Sequence, residues 1–189
     1  MNVYDPYPES VELDGRVYRL DLAYDNVLRC IDIAGDKMLT DADKIEIQTI
    51  LLLRRRRDCP KDTETQARLL SAIFDLLPKG EKSSGEKHID FHQDASMIRS
   101  AFFRIGIDLT KDKIHINRFL ELLADLPRDT ALMRTIELRQ RPLPKPTKYN
   151  AEEIAALQKA KAKVAIKMSE DERRERFAES LKNSTILRG

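Results

Sequence analysis

The chain has 189 residues, 41% of them apolar and 35% charged, with no Trp. That much apolar content can fill a core, which excludes wholesale disorder, while the surplus of charge favours short amphipathic helices over a wide buried sheet. Its 34 basic residues are offset by 32 acidic ones, so the net charge of +2 lacks the imbalance of a dedicated duplex-DNA binder. No apolar run reaches the roughly eighteen residues of a membrane-spanning helix.

The first eight residues, Met1 to Pro8, have neither the basic start nor the apolar centre of a signal peptide. Without a secretion signal, Cys30 and Cys59 are expected to be two reduced thiols, and the expected address is the cytoplasm. From Val11 to Leu20, apolar residues alternate on both sides of Asp14-Gly15, the strongest short-range signal for a hairpin. Val11 and Leu13 should share a face, and so should Tyr18 and Leu20. Asp21 then caps a helix with Tyr24, Val27, Leu28 and Ile31 on one side and Gly35 at its end. Thr40 with Asp43 starts another, feeding Ile47, Ile50 and Leu51 and running into Arg54-Arg-Arg-Arg57. Thr63 with Gln66 resembles a capping box ahead of Ala67, Leu70, Ile73, Phe74 and Leu77.

Pro78 to Lys87 is polar and reads as a loop. Asp90 or Asp94 opens a helix bearing Ile98, Ala101, Phe102 and Ile105, closed by Gly106. Ile114, Phe119, Leu120 and Leu123 form the next stripe, stopped by Leu126-Pro127. Arg128-Asp129-Thr130 restarts the chain into Leu132, Met133 and Ile136. Three prolines between Arg141 and Lys148 cannot continue a helix and favour an extended, stiff segment of about 25 Å. Asn150 with Glu153 caps a final Ala- and Lys-rich helix through Met168, and Ser169 with Glu172 either restarts or continues it toward Phe177 and Leu181. The expected fold is therefore mainly α, with about six to eight short helices behind a small N-terminal β-hairpin. The chain divides into a helical domain over 1–140, a Pro-rich linker over 141–149 and a C-terminal helical arm over 150–189.

Few residues suggest chemistry. The arginines 54–57 read either as an anion-binding run, worth about 1 kcal/mol per side chain at an anionic surface, or as a cationic helix end, worth about 0.3–1 kcal/mol each. His88 and His92 are four apart beside Asp90 and Asp94, a spacing a divalent metal can use, but no third ligand is evident. His115 reads as a helix-end residue. There is no glycine-rich phosphate loop, nucleophile elbow or CxxC pair, and the carboxylates are scattered, so neither enzyme activity nor a cofactor or metal is expected. The apolar band of the C-terminal helix either folds back on its own domain or docks on a neighbouring chain. On the second reading its contact residues are Ile154, Leu157, Val164, Phe177 and Leu181.

Taken in order, several segments resemble a known family. They are Leu13-Asp-Gly-Arg-Val-Tyr-Arg-Leu-Asp-Leu-Ala-Tyr-Asp-Asn-Val-Leu-Arg29, Leu39-Thr-Asp-Ala-Asp-Lys-Ile45, Asp90-Phe-His-Gln-Asp-Ala95 and Gly106-Ile-Asp-Leu109. Arg118-Phe-x-x-Leu-Leu-x-x-Leu-Pro-x-Asp-Thr130, Ile136-x-Leu-Arg139, Leu143-Pro-Lys145 and the Asn150 helix follow. Together they are similar to the small "gene product fifteen" tail proteins of siphophages and prophages, encoded near the tape-measure gene. The resemblance implies a non-catalytic chaperone or scaffold in the host cytoplasm that binds the tape-measure protein and other tail-assembly proteins; on this reading it either self-associates, as a homo-oligomer, or co-purifies with tape-measure segments. It transfers no catalytic or ligand residues. Three rivals remain open at this point: a structural component of the finished tail, a nucleic-acid-binding accessory using Arg54 to Arg57, Arg139 and Arg141, and a metalloenzyme at His88 and His92.

Overall fold

A computed structural model of the chain describes residues 5–78 and 87–167. Among them are a two-stranded hairpin, seven α-helices and one 3-10 turn, so the protein is mainly helical behind a small hairpin. The contacts divide the chain into two compact units, one from residues 1–84 and 102–126, the other from 85–101 and 127–189. Neither junction falls within the Pro-rich segment.

In the first unit, β1 (Ser10–Leu13) pairs antiparallel with β2 (Arg16–Arg19). Asp14 at φ 52° and Gly15 at φ 75° make the turn, both in the left-handed region that a type I′ hairpin requires. Tyr18 and Leu20 share the buried face, as their alternation predicts. The chain leaves β2 through two further backbone pairings that no local pattern signals. Leu20 bridges Leu53, and Ala23 bridges His115, so residues 20–23 are stitched to segments about 33 and 92 positions away.

Helix α1 (Tyr24–Gly35) ends where Gly35 suggested, but its buried positions are Asn26, Val27 and Cys30. Ile31, expected inside, is 58% exposed. Helix α2 (Asp41–Leu52) carries the capping box of Thr40 and Asp43 in full, yet it turns Gln48, Thr49 and Leu52 inward. Ile50 and Leu51 are only half-buried, and Ile47 is exposed. This rotation is permitted because the polar atoms it buries are satisfied: Gln48 Nε2 donates to the Cys30 carbonyl at 2.7 Å and Thr49 Oγ1 to Ile45 at 2.7 Å. Helix α3 (Thr63–Leu76) is capped by Asp62, one residue earlier than expected. The Asp62 carboxylate accepts the Thr65 N–H at 2.7 Å, while Gln66 turns back to the Pro60 carbonyl.

The end of α4 (Ala95–Arg104) and helix α5 (Ile116–Ala124) complete this unit. Phe119 stacks between Tyr24, 4.7 Å away, and Phe102, 5.0 Å away, with rings nearly parallel. Phe102 and Phe119 are almost wholly buried, each contributing about 1.5–3 kcal/mol of transfer free energy. Gly106, at φ 86°, ends α4 in the conformation for which glycine is best suited. His115 is the N-cap of α5, the helix-end role its position suggested.

The second unit holds the start of α4, helix α6 (Ala131–Gln140), the Pro-rich segment and helix α7 (Ala151–Val164). Thr130 caps α6 by accepting the Met133 N–H. Leu132 and Ile136 are buried as the stripe predicted, and Arg139, three residues further along the same face, is buried with them. Helix α7 packs on α6. Asn150 stands at its N-cap position, but the Asn150 side chain does not cap it. Its side chain faces back instead, accepting from Thr147 N and donating to Lys145 O.

Candidate functional site

The second unit brings Ile154, Leu157 and Val164, three of the residues proposed for partner binding, together with a polar cluster at the end of α7. Along α7, Leu157 is buried and Ile154 and Val164 are half-buried, while Ala151, Ala155, Ala156 and Ala162 are exposed. The larger apolar side chains thus form the sheltered face of a helix that rests on α6, and the small ones form its solvent face. Phe177 and Leu181 lie outside the described residues.

A helix end leaves its last carbonyls without intrahelical donors. At the end of α7 side chains from elsewhere in the unit supply them. Arg139 Nε donates to the Val164 carbonyl at 2.6 Å. Gln93 Nε2 donates to the Ala165 carbonyl and Gln93 Oε1 accepts the Lys167 N–H, both at 2.9 Å. Lys161 Nζ reaches the Arg141 carbonyl at 2.6 Å, which ties α7 to the start of the Pro-rich segment.

Arg139 is the centre of this cluster. Its guanidinium forms a two-pronged pair with Asp94, Nη1 to Oδ2 at 2.5 Å and Nη2 to Oδ1 at 2.8 Å, and Nη1 also donates to the His88 carbonyl at 2.8 Å. Asp94 is wholly buried and Arg139 is 8% exposed. Asp94 Oδ2 accepts a further bond from the Asp90 N–H at 3.0 Å. Burial by itself raises the Asp94 carboxyl, but the Arg139 fork and the Asp90 N–H outweigh it and hold the group below the usual carboxylate range. One guanidinium therefore joins the loop before α4, helix α6 and the exit of α7. Such planar five-donor geometry is what arginine supplies and lysine does not.

These placements revise several sequence readings. Arg139, a candidate nucleic-acid contact, spends its donors internally. His88 and His92 do not share a helix, because α4 begins only at Ala95, and His88 contributes a backbone carbonyl to Arg139. Among the described residues no three His, Cys, Asp or Glu side chains are grouped to hold a metal ion, and no helix is long and apolar enough to cross a membrane. Arg54 to Arg57 are all exposed and lie beyond α2, which ends at Leu52 and leaves no basic residue in its last turn. The Asp94–Arg139 pair escaped the sequence reading. Its one signal was an arginine continuing the Leu132–Ile136 stripe, a position that asks for an apolar side chain or a buried partner.

A profile of the family described as "Bacteriophage Gp15 protein" matches residues 3–166. The chain belongs to the bacteriophage Gp15 family. The match spans the hairpin, the seven described helices and, apart from Lys167, the polar cluster at the end of α7, so the Gp15 framework includes the second unit as well as the first. No curated protein and no solved structure matches the chain. Membership of the Gp15 family supports a phage structural or assembly protein.

Proposed function

We propose that this Gp15 family protein is a tail-assembly chaperone that binds the tape-measure protein through helix α7 and the residues after it. The Gp15 match over residues 3–166 carries this reading. The architecture is compatible with it, because the apolar face of α7 is held by contacts small enough for a partner to replace. Burial of Leu157 contributes about 1.5–3 kcal/mol, each Gln93 hydrogen bond at the helix exit about 0.5–1.5 kcal/mol and the charged Arg139 bond to Val164 about 1.5–3 kcal/mol. A partner helix offering a similar apolar stripe exchanges one set of contacts for another, and its binding stays reversible. That suits a coat that tail-tube subunits later displace, with many weak contacts multiplied along a long partner. In this state Ile154, Leu157 and Val164, together with Phe177 and Leu181, face the partner.

The test is capture of purified tape-measure segments by the full chain and by a chain ending at Tyr149. Weakened capture with the shorter chain, its remaining fold intact by circular dichroism, is the expected result. Equal capture by both would reject α7 as the binding element. Assay of purified virions for the protein separates a transient chaperone, absent from them, from a structural component of the finished tail.

A further inference from the structure

The first unit carries an unfinished sheet edge lined with arginines. In the hairpin, Leu13–Arg16, Val11–Tyr18 and Glu9–Leu20 are the hydrogen-bonded pairs. Two features fix this phase, the two-residue turn and the Leu20 N–H bond to the Glu9 carbonyl. The backbone groups of Val17 and Arg19 therefore point away from β1, toward the outer edge of β2. There the Arg19 carbonyl accepts the Arg54 N–H at 3.0 Å and the Asp21 N–H reaches the Leu52 carbonyl at 2.8 Å. Residues 52–54 thus begin a third strand beside Leu20. It goes no further, because the chain turns into the 3-10 segment Arg56–Asp58. The Val17 N–H and carbonyl have no partner among the described residues.

The side chains around this edge are equally specific. Leu20 and Leu53 are buried, so Arg19 and Arg54, one step along each segment, turn outward together. With Val17, Arg55 and Asp58 they line an open depression of about 420 Å³. Val17 is 62% exposed. Arg16 is occupied, stacking over the Tyr18 ring at 4.8 Å and donating to the Asp58 carbonyl. Arg19, Arg54 and Arg55 form no ion pair among the described residues.

We propose that the edge of β2 lined by Arg19, Arg54 and Arg55 binds a short, extended, acidic segment of a protein partner. The backbone of the segment pairs with Val17 and continues the strand begun by Leu53 and Arg54, while its carboxylates receive the arginine forks. A nucleic acid fits less well. No aromatic face lines the depression for a base to stack on, and an exposed valine beside its own outward backbone groups suits a peptide. This surface lies in the first unit and does not depend on the role proposed for α7.

The test uses the full chain and a fluorescent ten-residue peptide of alternating Glu and Val, read by polarisation. A second peptide of the same sequence carries N-methyl groups on alternate amides and so cannot pair as a strand on that side. The expected results are binding of the first peptide, loss of about tenfold or more in affinity in the R54A/R55A variant, and a similar loss with the N-methylated peptide. Val17→Pro, which removes the outward N–H and leaves every charge in place, should weaken binding comparably with the circular dichroism spectrum unchanged. The N-methylated peptide keeps the test valid if that variant misfolds, because it acts on the unaltered protein. The proposal is overturned if neither peptide binds, if both bind equally, or if a single-stranded thymidine oligonucleotide binds more tightly than the acidic peptide. Self-association abolished by Val17→Pro would also overturn it, by assigning the edge to a second copy of the chain.

Discussion

Replacing Arg139 by Met should be the most damaging single change in the second unit, for reasons that can be separated experimentally. The substitution keeps most of the aliphatic volume but strands Asp94, a wholly buried carboxylate, without its counter-ion. Breaking a buried pair from one side costs about 3–5 kcal/mol, a large share of the roughly 5–15 kcal/mol by which domains are stable. At an m-value near 2 kcal/mol per molar urea, the midpoint falls by about 1.5–2.5 M. Adding Asp94→Asn to Arg139→Met removes the buried charge while keeping an oxygen for the Asp90 N–H, so about half the loss or more should return. The remainder reflects the carbonyls of His88 and Val164, each left without its charged donor. The two proteins should also differ in sign with pH. In the native chain the Asp94 carboxyl is depressed, so its contribution is complete above the unfolded value of about 3.9 and fades as pH falls through the folded one. In R139M the unpaired carboxyl is raised instead, so acidification toward pH 4 relieves the strain and narrows the gap to wild type. Urea titrations of the three proteins at several pH values read all of this. A loss below about 1 kcal/mol, or a double variant no better than R139M, would refute the assignment of Asp94 and Arg139 as a stranded-charge system.

Three further outcomes follow from the first unit. His115 Nδ1 accepts the Asn117 N–H at 3.1 Å, so Nε2 carries the proton it donates to the Pro8 carbonyl at 3.2 Å, and the ring stacks on Tyr7. Burial lowers its pKa below the usual imidazole value. The stabilisation is therefore complete above about pH 6.5 and declines as pH falls toward the folded value. Thermal melts between pH 8 and 5 should show the decline, and His115→Asn, which can still cap, should flatten it; an unchanged slope would remove His115 as the cause. Thr40→Ala breaks the capping box of α2 and should cost about 1 kcal/mol in urea unfolding, with Thr40→Ser near wild type. Cys30 is wholly buried and its thiol is pushed up to about 12 by burial, whereas Cys59 is only half-buried. A maleimide pulse on folded protein, read by mass spectrometry, should label Cys59 well before Cys30, and equal rates would contradict the burial.

The sequence alone carried much of what has its cause within a few residues, although the caps read at Asp21, Thr63 and Asn150 fell elsewhere or went unused. Asp14-Gly15 makes the hairpin because only a left-handed pair closes it, and Thr40 with Asp43 starts α2 because a hydroxyl and a carboxylate three apart satisfy each other's backbone. Helix count, the Leu132–Ile136 stripe and family resemblance were legible on the same terms. The tertiary structure decided which way each helix turns. Ile31 and Ile47 lose their places to Cys30 and Gln48, since a buried amide that finds a carbonyl costs little and no local pattern records that carbonyl. It also decided that Leu20 meets Leu53, that Arg19 and Arg54 stand side by side, and that Arg139 closes on Asp94, 45 positions away. Pairings between residues so far apart are chosen by the packing of whole elements, and that choice settles whether an arginine is a surface charge or the pin of a helix end.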